Sequence, residues 1–169
     1  MSLRPILPRD IPGNPFDLIG QRWMLLTAGD DTADYNTMTV SWGGLGVLWS
    51  MPVATAYVRP QRHTYQFTEK SEHFTLSVYP EEYRDALRIC GSKSGRDIDK
   101  AAVCGLTPAL SANGGVYFEE AELVIVCKKI YYNDLDPKNF LDERIAKCYY
   151  PDDYHRMYIG EIVEVLIKD

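Results

Sequence analysis

The sequence predicts a mainly β fold, an antiparallel barrel with short helices packed outside it. Runs rich in β-branched and aromatic residues recur along the chain, at Trp23–Ala28, Thr37–Trp42, Val53–Val58, His73–Tyr79, Leu123–Tyr132 and Tyr158–Ile167. The helical stretches between them are short and unevenly spaced, which does not suit a regular βαβ alternation. The glycine signature of a dinucleotide fold is also incomplete. Gly44-Leu45-Gly46 lacks its third glycine, and Trp49 stands in that place. Closing the sheet on itself removes exposed edges.

Residues 1–17 carry Pro5, Pro8, Pro12 and Pro15 and read as an extended arm rather than a packed element. Such an arm lies on a partner subunit or serves as a tether. Residues 18–169 then form a single domain. Its first strand ends at Gly29-Asp30-Asp31, and Gly43-Gly44-Leu45-Gly46 reads as a turn between the second and third strands. Gln61–Lys70 is helical in character, with Pro60 suited to its start. In His73–Tyr79, Phe74, Leu76 and Val78 alternate with Thr75, Ser77 and Tyr79. Glu81–Cys90 is a helix with acidic residues in its first turn and Tyr83, Leu87 and Cys90 on its inner face. Asp97–Val103 is a short helix, and Asp134–Asp142 a loop with room for one helical turn.

Composition narrows the function classes. The chain has 169 residues, 46% apolar and 25% charged, ordinary for one domain with a proper core. No apolar run approaches the roughly 18 residues that span a bilayer. The N-terminus lacks the pattern of a signal peptide, so a cytoplasmic location is the default expectation. The net charge of −6 argues against a nucleic-acid partner. The basic residues Arg59, Arg62, Lys93 and Arg96 are a local group, better matched to one small phosphate than to a polyanion. Cys90, Cys104, Cys127 and Cys148 contain no C-x-x-C pair. They are expected to be buried small hydrophobes. Cys90 stands apart because it ends a helix beside the candidate phosphate loop. The histidines share no ligand spacing, so no metal site is expected.

Asn36-Thr37-Met38-Thr39-Val40-Ser41-Trp42 is a strand whose backbone groups suit the edge of a flat polar ring. Thr37 and Thr39 would add hydroxyl donors, and Met38 a polarizable sulfur against the ring. Arg59-Pro60-Gln61-Arg62-His63-Thr64-Tyr65 follows as a basic, hydroxyl-rich helix start. There Arg62, His63 and Thr64 would hold a phosphate with backbone N–H groups and a guanidinium. Ser92-Lys93-Ser94-Gly95 would supply a second set of donors. It is not a P-loop, because the G-x-x-x-x-G-K-[ST] order is absent. Either basic loop is equally well read as solvated surface, and Asn36–Ser41 as an ordinary strand. A ring-binding strand beside a phosphate-binding helix start points to a nucleotide-like cofactor, with flavin mononucleotide (FMN) the natural candidate. Trp42 would stack on or gate a ring face, whereas Trp49 is placed in the core or an interface. So are Tyr79, Tyr131, Tyr132, Tyr149 and Tyr150. His155 would act at the open ring face or lie at the surface.

The run Asn36–Trp42, with Arg59–Tyr65, resembles the flavin reductase-like family of FMN-binding split barrels, and within it the flavoredoxin branch. Cys90-Gly91-Ser92-Lys93-Ser94-Gly95-Arg96-Asp97-Ile98-Asp99-Lys100 and His155-Arg156-Met157-Tyr158-Ile159-Gly160-Glu161-Ile162 extend the likeness, in the family's order, from about Leu18 to Val165. The resemblance implies a split barrel of Greek-key-like topology and bound FMN held by Asn36 to Trp42, Arg59, Arg62 to Thr64 and Ser92 to Gly95. It implies a homodimer, with a catalytic role for His155. The activity implied is that of an oxidoreductase passing electrons from NAD(P)H, a transient donor, through FMN to an acceptor. The alternatives are a flavoredoxin-type carrier serving a redox protein partner, and a non-redox binding module. FMN carries its own redox chemistry, so the absence of a catalytic triad fits this reading.

Overall fold

A computed structural model describes residues 2–151 and 153–169. The strands are β1 (Leu3–Ile6), β2 (Met24–Asp31), β3 (Asp34–Val40), β4 (Gly43–Leu48), β5 (Met51–Val58), β6 (His73–Val78), β7 (Pro108–Leu110), β8 (Val116–Phe118), β9 (Leu123–Asp134) and β10 (Arg156–Lys168). The helices are α1 (His63–Lys70), α2 (Arg84–Ser92), α3 (Lys100–Cys104) and α4 (Glu143–Tyr149). No helix among the described residues is long and apolar enough to cross a membrane.

The main sheet runs β3-β2-β6-β9-β10-β5-β4, every pairing antiparallel, with β1 added beside β10. β5 and β6 are consecutive in the chain but stand apart in the sheet, with β9 and β10 between them. α1 makes that crossing. β3 and β4 end the path, which leaves the barrel split on the side where the candidate ring strand lies. This is the antiparallel split barrel that the sequence predicts.

Period-two alternation fills both faces. Met24, Leu26, Met38, Val40, Phe74, Leu76, Ile125 and Tyr158 pack inside the barrel. Leu25, Val124 and Val126 point the other way, against Leu87 and Cys90 of α2, Ala101 of α3 and Phe118 of β8. Gly160 makes the interior crossing of β10 possible. A Cβ there would lie 2.6 Å from Cys127 Cβ and 2.8 Å from the Phe74 ring. The β9–β10 register shifts between Ile159 and Gly160, a bulge that bends the strand inward.

Several expectations change in the folded chain. The Pro-rich arm is extended, but it is not unpacked. Leu3–Ile6 pairs with Val165–Lys168 of the same chain, so the sheet begins ahead of residue 18. Pro5 is tolerated because β1 is an edge strand. Gly43–Gly46 is not a turn but the first part of β4, paired to Val53–Ala56 of β5. The turn is Trp49-Ser50, where φ is +50° and +60°. Positive φ at both centres is the hairpin geometry normally signalled by Asn-Gly, and that signal is missing here. Trp49 is accordingly exposed rather than in the core, with its ring edge-on to Tyr131 at 6.1 Å. Tyr131, Tyr132 and Tyr149 are also exposed, while Tyr79 and Tyr150 are buried. Cys90 and Cys127 are buried as expected, Cys104 is half-buried and Cys148 is exposed. β7, β8 and α4 have no counterpart in the sequence reading.

Candidate functional site

The outer edge of β3, the start of α1 and the end of α2 converge beside the split in the barrel. A cavity of about 230 Å³ lies there, lined by Met38 to Trp42, Tyr57, Arg59, Arg62, Gly91 and His155. A second cavity of about 220 Å³ adjoins it. Its walls are Asn36, Gln61 to Thr64, Ser92 to Ser94, Arg96 and Lys100. Arg62 borders both. The first cavity has mixed polar and apolar walls. The second carries Arg62, Lys93, Arg96 and Lys100 with no carboxylate among its described lining residues.

The folding of each segment explains the convergence. Asn36 donates from Nδ2 to Thr64 Oγ1 at 2.7 Å, which fastens α1 against β3. No side chain caps the start of α1, and its Tyr65 amide donates to the Arg62 carbonyl at 2.9 Å, so the His63 and Thr64 amides are the ones that can take another acceptor. Arg62 Nη2 donates to the Gly91 carbonyl at 3.0 Å and ties α1 to the end of α2. Gly95 lets its loop close onto that corner. A Cβ there would come 2.1 Å from Asn36 Oδ1 and 3.0 Å from the His63 ring. Gly95 therefore shapes the cradle from behind and lines the outer polar cavity with Arg96, Asp97 and Asp99.

Lys100 is the site residue that sequence reasoning missed. It is buried, and Nζ donates to the carbonyls of Thr37 and Cys90, each at 2.8 Å. An ammonium has three donors, so one remains for the cavity. Burial lowers its pKa to about 8; Cys90 opposes this, Arg62 nearby adds a smaller lowering, and Cys104 raises it least. Lys100 closes the Cys90–Lys100 motif and so was in view. Its burial was not, because a lysine in a short helix normally faces water.

The electrostatics of this corner describe a place for an anion. Burial lowers the pKa of His63, and the charges of Arg96 and Lys100 lower it further. Burial and Arg59 lower that of Arg62. Cations that crowd one another in a partly desolvated cavity are relieved by a negative group placed among them. A phosphate monoester fits the donor set.

The candidate ring strand divides by side. Met38 to Ser41 border the first cavity, as does Trp42, which is exposed. Met38 and Val40 bury most of their side chains in the barrel. The threonine hydroxyls do not serve as the expected ring donors. Thr37 Oγ1 lies 2.9 Å from Thr27 Oγ1 and 3.2 Å from the Leu26 carbonyl, inside the fold. Thr39 Oγ1 donates to the Leu87 carbonyl on α2. Alternation along β3 assigns these hydroxyls to packing, so the edge offers backbone groups alone.

Arg59 has a different place from that expected of a phosphate ligand. It pairs with Asp153 at 3.2 Å, donates to the Tyr149 carbonyl and lies over the Tyr150 ring. It borders the ring cavity, not the polar one, and fastens the segment that follows α4. That segment carries His155, which is buried rather than on the surface. Its Nδ1 lies 2.9 Å from the Tyr150 hydroxyl, and its ring leans on Trp42 at 5.1 Å between centroids. Burial and then the Arg59 charge lower the His155 pKa to about 4, against a smaller raising effect of Asp153. The imidazole is neutral at pH 7. No cluster of metal-ligating side chains occurs among the described residues.

The sequence profile of the flavin reductase like domain matches residues 16–169. No curated protein sequence matches the chain. Solved structures share the fold. An FMN-binding protein from Thermus thermophilus with bound 1-cyclohex-2-enone superposes with a TM-score of 0.66 at 21% identity, covering 92% of this chain and 74% of its own. The flavoredoxin of Desulfovibrio vulgaris (Miyazaki F) gives 0.68 at 24% identity, covering 87% and 69%. An FMN-binding domain of a flavin reductases-like enzyme from Shewanella baltica OS155 gives 0.69 at 16%, covering 98% and 77%.

Proposed function

The chain belongs to the flavin reductase-like domain family, and from that premise we propose that it is an FMN-binding oxidoreductase, passing electrons from NAD(P)H through bound FMN to an acceptor. One observation carries the reading. A ring-sized cavity along the free edge of β3 adjoins a polar cavity at the start of α1 whose charged lining residues, among those described, are all cations, and Arg62 borders both.

In this reading the first-turn amides of α1, Arg62, Lys100, Ser92, Lys93 and Ser94 hold the phosphate. The exposed backbone from Met38 to Ser41 addresses the polar edge of the ring, and Trp42 and His155 border its face. When bound, FMN supplies the hydride and electron chemistry. The residues of this chain orient it, exclude water from one side and leave the other open to a nicotinamide. Neutral His155 serves as a hydrogen-bonding group there, not as a standing cation. FMN is favoured over FAD because the cations gather around one polar cavity, which suits a single terminal phosphate.

The reading includes a homodimer with the flavin near its interface. Val47, Leu48 and Trp49 on the β4–β5 hairpin, with Tyr131 and Tyr132 on β9, are exposed apolar side chains suited to that contact. With β1 held on β10 of its own chain, the hairpin takes the role considered for the N-terminal arm.

Reconstitution followed by anaerobic mixing with NADH or NADPH tests the proposal. The expected result is a yellow protein whose released flavin is FMN and whose colour bleaches rapidly. Failure to bind flavin, or recovery of FAD alone, would sink the cofactor assignment. Bleaching only by a reduced protein donor would make the chain a flavoredoxin-type carrier instead.

A further inference from the structure

Two thiols bracket the loop that builds half of the polar cavity. Cys90 on α2 is buried and Cys104, the last residue of α3, is half-buried. Their sulfurs lie 3.9 Å apart. Between them the chain carries Gly91 of the ring cavity and then Ser92, Lys93, Ser94, Arg96 and Lys100 of the polar cavity. Lys100 already draws the two ends together, because it sits on α3 and donates to the Cys90 carbonyl on α2.

We propose that Cys90 and Cys104 are an oxidisable pair whose disulfide closes the Gly91–Val103 loop at its base and so locks the cofactor corner. A disulfide needs an S–S distance of about 2.05 Å, so the sulfurs have roughly 1.9 Å to close. Movement of that size lies within the reach of side-chain rotation at the end of a five-residue helix. Cys127, buried in the barrel, and Cys148, exposed on α4, have no cysteine partner among the described residues.

Hydrogen peroxide is the oxidant class. Cys104, the more exposed thiol, reacts first. Its sulfur loses a proton and attacks one peroxide oxygen, the O–O bond breaks, and water leaves a sulfenic acid. The Cys90 sulfur, losing its own proton, then attacks the Cys104 sulfur, and the S–O bond breaks to release a second water. Two thiols and one peroxide become one disulfide and two waters, with both sulfurs oxidised and both oxygens reduced. Burial raises the pKa of Cys90 to about 12 and raises that of Cys104. Fewer thiolates make the reaction slow, and the Lys100 ammonium beside both sulfurs partly offsets this by favouring the thiolate.

The inference rests on the proposed function only for what the loop holds, so its test does not depend on flavin. The full chain is treated with hydrogen peroxide, unfolded, alkylated and digested for mass spectrometry. The expected product is a Cys90–Cys104 linked peptide, two hydrogens lighter than its parts and absent from Cys104→Ser. Amide hydrogen exchange over residues 92–99 should slow roughly tenfold in the oxidised protein. Release of reconstituted FMN should slow with it. Oxidation confined to Cys148, or both bracketing thiols fully alkylated, would overturn the pair. A linked peptide with unchanged exchange would overturn the lock. Failure of flavin binding would leave both results standing and would count against the proposed function alone.

Discussion

The Tyr150 hydroxyl and the His155 Nδ1 lie 2.9 Å apart, a buried contact with Trp42 and Arg59 packed around it. The bond engages one imidazole nitrogen and restrains the ring of a residue that borders the ring cavity. Tyr150 is thus a positioning residue for His155. His155→Ala should slow anaerobic flavin reduction by nicotinamide by roughly tenfold to a hundredfold, the low end of acid–base or orienting effects or below it. FMN affinity should hold, because it rests on the phosphate corner. Tyr150→Phe should slow reduction by less. With the His155 pKa held at about 4, the wild-type rate should show no His155 step between pH 6 and 8. Equal rates in wild type and His155→Ala, each saturated with FMN, would place His155 outside the chemistry.

The phosphate corner is tested by a ligand that lacks the phosphate. Arg62→Ala and Lys100→Met should each weaken FMN binding by roughly 1.5–3 kcal/mol, the scale of a hydrogen bond to a charged group. Riboflavin affinity should change little in either variant. Fluorescence titration of apoprotein with both ligands supplies the comparison. A loss of the same size for both flavins would mean that these side chains support the ring or the fold rather than the phosphate.

Lys100 also sets a pH dependence. Its folded-state pKa of about 8 lies below the ordinary 10.5. Deprotonation of the apoprotein above pH 8 removes a cation from the corner, so FMN affinity should fall as pH rises from 7.5 to 9. Apoprotein stability moves the other way. Between pH 8 and 10.5 the unfolded chain holds more protons at this group, so folding gains as pH rises through that window. Thermal unfolding of wild type minus Lys100→Met isolates the contribution. A difference that stays flat from pH 7 to 10 would mean Lys100 is not buried in solution.

The β4–β5 hairpin should hold the proposed dimer together. Val47 is 78% exposed and Trp49 57% exposed in the single chain. Val47→Asp should shift the protein to monomer without unfolding it, because the side chain supports nothing in its own subunit. Light scattering at micromolar concentration measures the shift. A wild-type monomer that binds FMN fully would show that the site is complete within one chain.

Strands and helices with strong periodic patterns were legible without coordinates. β6 and β9 stand close to where alternation and β-branched content placed them, because β6 and the first half of β9, Leu123–Cys127, are buried on both faces and their apolar, β-branched content is a local signal. The β4 strand was not, because its glycines mimic a turn and its true turn is Trp49-Ser50, held at positive φ by the pairing of Leu48 with Met51. α4 carries no buried side chain, and that explains its weak signal.

At the candidate site, sequence alone singled out segments that the fold brings to one corner. Asn36–Trp42, Arg59–Thr64 and Ser92–Gly95 carry the chemical types that a phosphate and a flat ring require. Residue type and order survive without knowledge of the fold. Only the tertiary structure decided which atoms are available. It turned the Thr37 hydroxyl to Thr27 and the Thr39 hydroxyl to Leu87, gave Arg59 to Asp153, and buried Lys100 between two carbonyls. Those assignments depend on partners from 10 to 94 residues away in the chain, brought near by strand pairing and by helices packed on the sheet. Local composition does not record such distances, and the closeness of Cys90 to Cys104 is set in the same way.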